Sequence, residues 1–220
     1  MNGLLTSLMG ATAQGVLWGI MALGVYITYK LLKISDLTVD GSFALGGCVC
    51  AVLILGGMSP ALATLIAIIA GLAAGAVTGI LHTVFNIPAI LSGILTQISL
   101  WSINLRIMSG KSNLPLLNSE TIISFFVGRS GSSTIESASG FAKALGMTQS
   151  TASLVIGIVI AVVIVAILYW FFGTEIGSAL RATGNNEAMI RALGVNTNRT
   201  KLLALMISNA LVSFSGALVA

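Results

Sequence analysis

Charge is what this chain has least of. Asp, Glu, Lys and Arg together make up 7% of its 220 residues, against roughly 25% in soluble domains. With 56% hydrophobic residues and a mean hydropathy of +1.05, that scarcity excludes an ordinary soluble globule and places the chain in a membrane. Cysteine is nearly absent as well. Cys48 and Cys50 lie two apart in an apolar run with no His or further Cys nearby, which excludes a metal centre. On a helix their side chains diverge, so both are expected to be packing residues. The lone histidine, His82, falls at the end of an apolar run and is expected to be interfacial rather than catalytic. There is no P-loop, no G-x-S-x-G and no H-E-x-x-H. No catalytic residue, metal site or cofactor is therefore assigned to the chain, and any nucleotide chemistry must belong to a partner.

What is present is a series of apolar runs of membrane-spanning length, roughly 20 residues each: about 10–32, 37–57, 60–82, 88–108 and 151–172, with a sixth from 202 to 220. The expected fold is all-α, a polytopic transmembrane bundle forming one domain over 1–220. Ser59-Pro60 and Pro88 mark helix starts, because proline is pre-organised for the first helical position. The sixth run stops at Ala220, and the expectation is that the chain is a piece of a longer one. No Lys or Arg precedes Lys30, so no cleavable signal is expected. Lys and Arg outnumber Asp and Glu by 10 to 6. In a soluble protein that excess would hint at nucleic acid, but among apolar runs it is the cytoplasmic bias of basic residues. Placing Lys30, Lys33, Arg181, Arg191, Arg199 and Lys201 inside puts the N-terminus outside. The run 37–57 is the one whose topology stays open, since a re-entrant segment there would invert the upstream half.

Small residues write the packing. Gly71, Gly75 and Gly79 stack on one face of the third run, and Gly15 and Gly19 on one face of the first, letting a neighbouring helix approach closely. Packing within the chain is the reading preferred to homodimerisation for this motif alone. The Val/Ile-rich stretch 154–168 suits a lipid-facing helix. The loop 109–150, Ser/Gly-rich at 128–133 and with an amphipathic helix expected near 134–145, is either a docking place for an outer receptor or a bland exposed loop.

Between the fifth and sixth runs lies the most polar and basic short segment, GTEIGSALRATGNNEAMIRALGVNTNRTK. Glu175 follows Gly173-Thr174, an acid in the first turn of a helix, and Gly184 is expected to end that helix. A second helix over about 186–193 carries Glu187 and Arg191 at i, i+4, and Gly194 stops it. Asn196 to Asn198 supply caps for the next span. The product is a compact knob with Met189, Ile190 and Leu193 as an apolar ridge. An amphipathic helix resting on lipid is the competing reading, although it calls for a wider apolar face and more Lys.

Two further constellations are candidates for a solute pathway. Asp40, followed by Gly41 and Ser42, is a carboxylate in an apolar run, which is costly and so a functional candidate, beside a possible helix break. It lies only about 6 Å from the run's start, so it equally fits a carboxylate satisfying helix-start amides. In the fourth run Ser92, Thr96 and Ser99 recur at i, i+4, i+7, with Gly93, Gln97 and Asn104 adjacent. Such a stripe lines a polar pathway or bonds neighbouring helices.

The stretch LRATGNNEAMIRALGVNTNRTKLLALMISNALVSFSGALVA, with SDLTVDGSFALG and SINLRIMSGKSNLPLL, resembles ABC-importer permeases of the family that includes branched-chain amino acid and ribose permeases. A subgroup of that family is associated with amino acids. The resemblance implies an ATP-driven importer of a small polar solute in a bacterial plasma membrane, working as a homodimer in lipid. Its partners would be a cytoplasmic ABC ATPase, which binds the ATP and Mg²⁺, and an extracytoplasmic solute-binding lipoprotein. It assigns ATPase coupling to Glu175, Arg181, Gly184, Asn185 and Glu187, and with them Met189, Arg191, Leu193 and Gly194. The alternative is a secondary transporter on an ion gradient, which would need more intramembrane charge and an inverted repeat. A membrane enzyme lacks its His/Asp/Glu cluster.

Overall fold

The computed structural model describes residues 2–111, 113–114 and 149–220. Within them the chain is a polytopic helical bundle, as expected. Helix α1 (Asn2–Tyr26) runs into a π-helical turn (Ile27–Leu31). It is followed by α2 (Val39–Leu55), α3 (Pro60–Thr83), α4 (Ala89–Ile107), α5 (Gln149–Gly173), α6 (Glu175–Asn185), α7 (Glu187–Ala192) and α8 (Thr197–Val219). Among the described residues, α1, α3, α4, α5 and α8 are long and apolar enough to cross a membrane, and α2 is a shorter apolar helix. The segments 128–133 and 134–145 singled out in the long loop lie outside the described residues.

Helix ends follow local chemistry. Pro60 opens α3 at its first turn, with Ser59 extended before it but making no side-chain cap. Pro88 is the N-cap of α4 rather than its first helical residue. Gly57, at φ 83°, closes α2, with the Met58 amide donating to the Leu53 carbonyl at 3.1 Å, the double-bonded stop that left-handed glycine allows.

Helix α8 is the centre of the bundle. It touches α1, α2 and α3, while α5 packs on α1 and α4 on α2 and α3. Its hydroxyls bond the backbones of its neighbours: Ser208 donates to Gly24 O at 2.7 Å, Ser215 to Leu17 O at 2.7 Å and Ser213 to Ala67 O at 2.6 Å. Its α3 contact is the glycine face of the third run. Gly71 lies on Asn209 and Ser213, Gly75 on Leu205 and Met206, and Gly79 on Leu202. That motif packs within the chain. Gly15 and Gly19 differ, since among the described residues a Cβ at either meets nothing within 4 Å.

The same contacts give the directions. Gly46 meets Ser213 and Gly47 meets Gly216, so α2 is parallel to α8. Gly41 lies on Gln97 and Leu100 while Cys48 Sγ reaches Met108 Sδ at 3.2 Å, so α4 is parallel to α2. Helices α1, α3 and α5 run the opposite way. Thr38 meets Thr78 near one end of α3, and Cys50 packs with Ala63 and Ala67 near the other, so α2 does not double back. At 17 residues it rises about 26 Å, and the non-helical residues 33–37 precede it. The two cysteines face α4 and α3 respectively, as packing residues. Helix α5 is the most exposed of the candidate spans, in keeping with a lipid-facing role.

Lys30, Lys33, His82 and the α6–α7 segment all fall at one end, which is the arrangement the basic residues predicted. Tyr26, Tyr29, Phe85, Tyr169 and Trp170 are exposed at that end, the position of an interfacial aromatic belt. His82 Nδ1 lies 2.9 Å from the Ile87 carbonyl and closes the turn between α3 and α4.

The two glycine motifs make a matched test. A Cβ at Gly75 collides with the Leu205 carbonyl, and backbone cannot give way, so Gly75→Ala is expected to cost about 1–3 kcal/mol. Gly15→Ala adds only helix propensity. Thermal unfolding in detergent should therefore show a lowered Tm for Gly75→Ala alone; equal Tm values would contradict the α3–α8 packing.

Candidate functional site

The segment between α5 and α8 folds as two helices with one residue, Asn186, between them. Thr174 caps α6, its Oγ1 accepting from Gly177 N at 3.4 Å. Asn186 caps α7 through Met189 N at 3.1 Å, and Asn196 caps α8 through Arg199 N at 3.2 Å. Gly194 stops α7 at φ 84°, with its own amide bonded to Arg191 O and that of Val195 to Ile190 O. Glu175 is exposed in the first turn of α6. Arg181 donates to the Phe172 carbonyl, so this cation caps the C-terminal end of α5.

Two expectations change. Gly184 does not end α6, which continues to the exposed Asn185. It is instead where α6 rests on the π-turn, because a Cβ there would collide with the Leu31 carbonyl. Ile190 is not part of the exposed ridge. It is 6% exposed, while Met189 is 54% and Leu193 70% exposed, because a six-residue helix with one side against the bundle must turn one of three neighbouring apolar side chains inward. Below them α6 buries Gly177, Leu180 and Thr183, a stripe at helical spacing, and Leu180 joins Ile27, Leu32 and Ala204 in one apolar cluster.

The Glu187–Arg191 pair forms at 3.2 Å, but Glu187 has a closer partner that sequence spacing did not reveal. Its other oxygen, Oε2, lies 2.7 Å from Lys201 Nζ near the start of α8, while Thr197 Oγ1 donates at 3.2 Å to Oε1, the oxygen that Arg191 also meets. Lys201, with smaller contributions from Thr197 and Arg191, holds the Glu187 carboxyl below its ordinary value, against a partial opposing effect of burial. The carboxylate thus clips α7 to α8. Beside it an open depression of about 630 Å³ is lined by Glu187, Ala188, Arg191 and Ala192.

The pathway candidates do not form one lining. On α4 Ser92, Gly93, Thr96, Leu100 and Asn104 are buried, Gln97 is half-buried at the edge of that arc, and Ser99 is exposed beyond it. Ser92 and Thr96 donate to carbonyls of their own helix, Ala89 and Ser92, and Ser99 to Leu95. Asn104 Nδ2 reaches Gly41 O on α2 at 3.4 Å, while its Oδ1 is buried without a partner among the described residues. Asp40 is exposed in the first turn of α2, and Ser42 is buried two residues on.

A connected polar group sits where sequence reasoning did not look. Ser42 Oγ donates to Asn209 Oδ1 at 2.5 Å, and Asn209 Nδ2 donates to Asp36 Oδ2 at 2.8 Å and to Leu205 O at 3.0 Å. Asp36 Oδ1 accepts from Thr38 N at 2.9 Å, and the Thr38 and Thr78 hydroxyls meet at 2.8 Å. The signal for Asn209 was available: a large amide inside the apolar run from 202 carries the same cost that drew notice to Gln97 and Asn104.

The sequence model of a family described as "Branched-chain amino acid transport system / permease component" matches residues 7–220, and the chain belongs to that family. It is 38% identical over 216 residues to a tyrosine transport system permease protein of Clostridioides difficile, covering 98% of this chain and 65% of that protein. It is 33% identical over 218 residues to an uncharacterised protein of Rickettsia prowazekii, covering 99% of this chain and 68% of that one. Against the ribose import permease protein of Escherichia coli it is 25% identical over 198 residues, 90% of this chain and 56% of that protein. The chain thus spans about half to two thirds of the length of these relatives. No solved structure matches it.

Because the Glu187 carboxyl is depressed in the folded state, its clip is in place above the ordinary carboxylate range and is lost only as pH falls through the lowered value. A carboxylate titration of isotope-labelled Glu187 should therefore have its midpoint below the ordinary value, and Lys201→Met should move it upward. An unmoved midpoint would mean that Lys201 is not the dominant partner.

Proposed function

We propose that this family member is the membrane half of an ATP-driven importer, with the α6–α7 knob as the surface that a cytoplasmic ABC ATPase grips. The carrying observation is the knob's construction. It is capped at each helix start, clipped to α8 through Glu187 and Lys201, and rests on the π-turn through Gly184, yet it presents Met189 and Leu193 to solvent beside Arg191. A surface helix lying on lipid would turn its apolar residues toward the bundle's lipid face with basic residues around them. Here the two exposed apolar side chains are flanked by an ion pair, the composition of a docking surface with an apolar centre and a charged rim.

In this reading the ATPase supplies the ATP and Mg²⁺ chemistry, and an extracytoplasmic solute-binding lipoprotein delivers the cargo. A second copy of the chain completes the pathway in a bacterial plasma membrane. The named tyrosine transporter among the relatives favours an amino acid as the solute. Asp40 and Gln97, on the accessible side of α2 and at the edge of α4, are the polar groups of the earlier set best placed to meet it, with Ser99 further round.

Transmission depends on the knob moving as one body with α8. Glu187→Lys opposes Lys201 with a like charge, and Arg191→Glu opposes Glu187. Each is expected to leave the membrane fold intact and to uncouple ATP hydrolysis from uptake, read as hydrolysis and radiolabelled tyrosine uptake in liposomes holding permease, ATPase and binding protein. Normal uptake by both variants would remove the knob from the coupling route, and failure of any ABC ATPase to copurify with the wild type would remove the importer reading.

A further inference from the structure

The knob holds two different parts of the bundle. Its α7 is tied to the start of α8 by the Glu187–Lys201 ion pair at 2.7 Å and by Thr197. Its α6 lies on the Leu31 carbonyl through Gly184, at the end of the π-turn. The first contact leads into a continuous helix. The second leads into residues 33–37, which are not helical and begin at Lys33 with φ 57°, an uncommon conformation for a residue with a side chain. A helix moves as a rod, whereas an unwound segment takes up rotation in its own dihedrals. Movement of the knob therefore displaces the two arms unequally.

The arms meet again at Asn209. From Lys201 the helix rises about 12 Å to this residue, and from Leu31 the unwound chain reaches Asp36. Asn209 is 0% exposed, and its amide is fully committed. Nδ2 bonds Asp36 and Leu205 O, and Oδ1 accepts from Ser42. Only the Leu205 bond stays within α8; the others cross to the unwound segment and to α2. Asn209 joins Asp36 of the unwound segment and Ser42 of α2 to α8, and an apolar side chain in its place would leave the buried Ser42 hydroxyl and the Asp36 carboxylate each short of a partner.

We propose that Asn209 is the positioning residue that passes displacement of the knob to the unwound segment 33–37 and the start of α2. The proposal rests on the reading of the knob as an ATPase-docking surface. Asn209 holds Asp36 and Ser42 at fixed register against α8 in the arrangement seen here, and the segment shifts when α8 and the π-turn are driven apart. Asp40 and the half-buried Gln97 lie directly beyond that segment on α2 and α4, so the shift is delivered to the pathway side.

The test uses the full complex in lipid, on a background in which Cys48 and Cys50 are replaced by alanine, with two thiol reporters. Met189→Cys reports docking and should be protected from maleimide by the ATPase. Leu37→Cys, on a partly exposed residue of the unwound segment, should change its labelling rate about tenfold on adding ATP and Mg²⁺, within the usual range of coupling effects. Asn209→Leu should keep Met189→Cys protection and ATP hydrolysis while abolishing the ATP response at Leu37→Cys. Asn209→Asp sets two carboxylates against each other and should do the same. The exchange Asp36→Asn with Asn209→Asp re-forms an amide–carboxylate bond and should restore the response, which a merely space-filling role would not do. Should Asn209→Leu fail to fold, Ser42→Ala removes one hydroxyl and should reduce the response. A full ATP response in Asn209→Leu or Ser42→Ala overturns the proposal, as does a wild type whose Met189→Cys is protected but whose Leu37→Cys is indifferent to ATP. An unprotected Met189→Cys in the wild type instead sinks the docking reading itself, and the proposal with it.

Discussion

The bilayer core offers no water, and the structure depends on how α8 meets that constraint. A helix satisfies its own backbone, but α8 also carries Ser208, Asn209, Ser213 and Ser215, whose side chains must find partners inside the protein. Three of the serine hydroxyls are spent on backbone carbonyls of α1 and α3. Those bonds need short interhelical distances, and Gly71, Gly75 and Gly79 on α3, with Gly46 on α2 and Gly24 on α1, provide them. Small residues and hydroxyls are thus two parts of one device. Hydrophobic burial cannot assemble helices already in hydrocarbon, so close contact and hydrogen bonds must.

The same constraint explains the unwound residues 33–37. Irregular backbone needs partners for its polar groups, and although Lys33, Ser35 and Leu37 are exposed, Asp36 bonds Thr38 N and Asn209 while Ile34 N bonds Thr28 O. A short α2 and a preceding unwound segment go together. Because α2 begins late, Thr38 can meet Thr78 and Ser42 can meet Asn209, and the helix still reaches Ala63 and Ala67 at its far end.

Much of the bundle was legible because its signals are local. Apolar length marked the spans, proline and asparagine marked helix starts, and Gly194 marked a stop that the structure places at positive φ. The gathering of Lys30, Lys33 and the knob at one end followed from where basic residues cluster. What stayed illegible is which apolar face meets lipid and which meets protein, since both are equally apolar and the periodicity that separates core from solvent in a soluble helix is missing. That is why α8 looked like any other run, and why the α4 stripe, whose Ser92 and Thr96 bond their own helix, could be read as a lining or as interhelical packing. Gly184 was misread for a related reason. Glycine marks a helix stop and a close backbone approach alike, and only the position of Leu31 decides between them. Lys201 escaped because pairing was sought at i, i+4, whereas Glu187 reaches it across fourteen residues and a turn.

Polar groups in the molecule fall into two kinds, and the division bears on function. Most are committed: the serines of α8 to backbone, Asn209 to three partners, Arg181 to the end of α5 and Glu187 to Lys201. A committed group fixes geometry and has nothing left to offer a ligand. Asp40 and Gln97 are at the accessible edge of the α2–α4 pair, and Met189 and Leu193 stand exposed on the knob. The first pair stands beside α2 and α4 and the second at the basic end, while the committed groups hold the helices and the knob together. In the importer reading proposed above, nucleotide work at the knob must alter a solute path elsewhere in the bundle. Contacts at both places have to be free to form and break, while the committed ones have to be tight enough that displacement is not lost on the way.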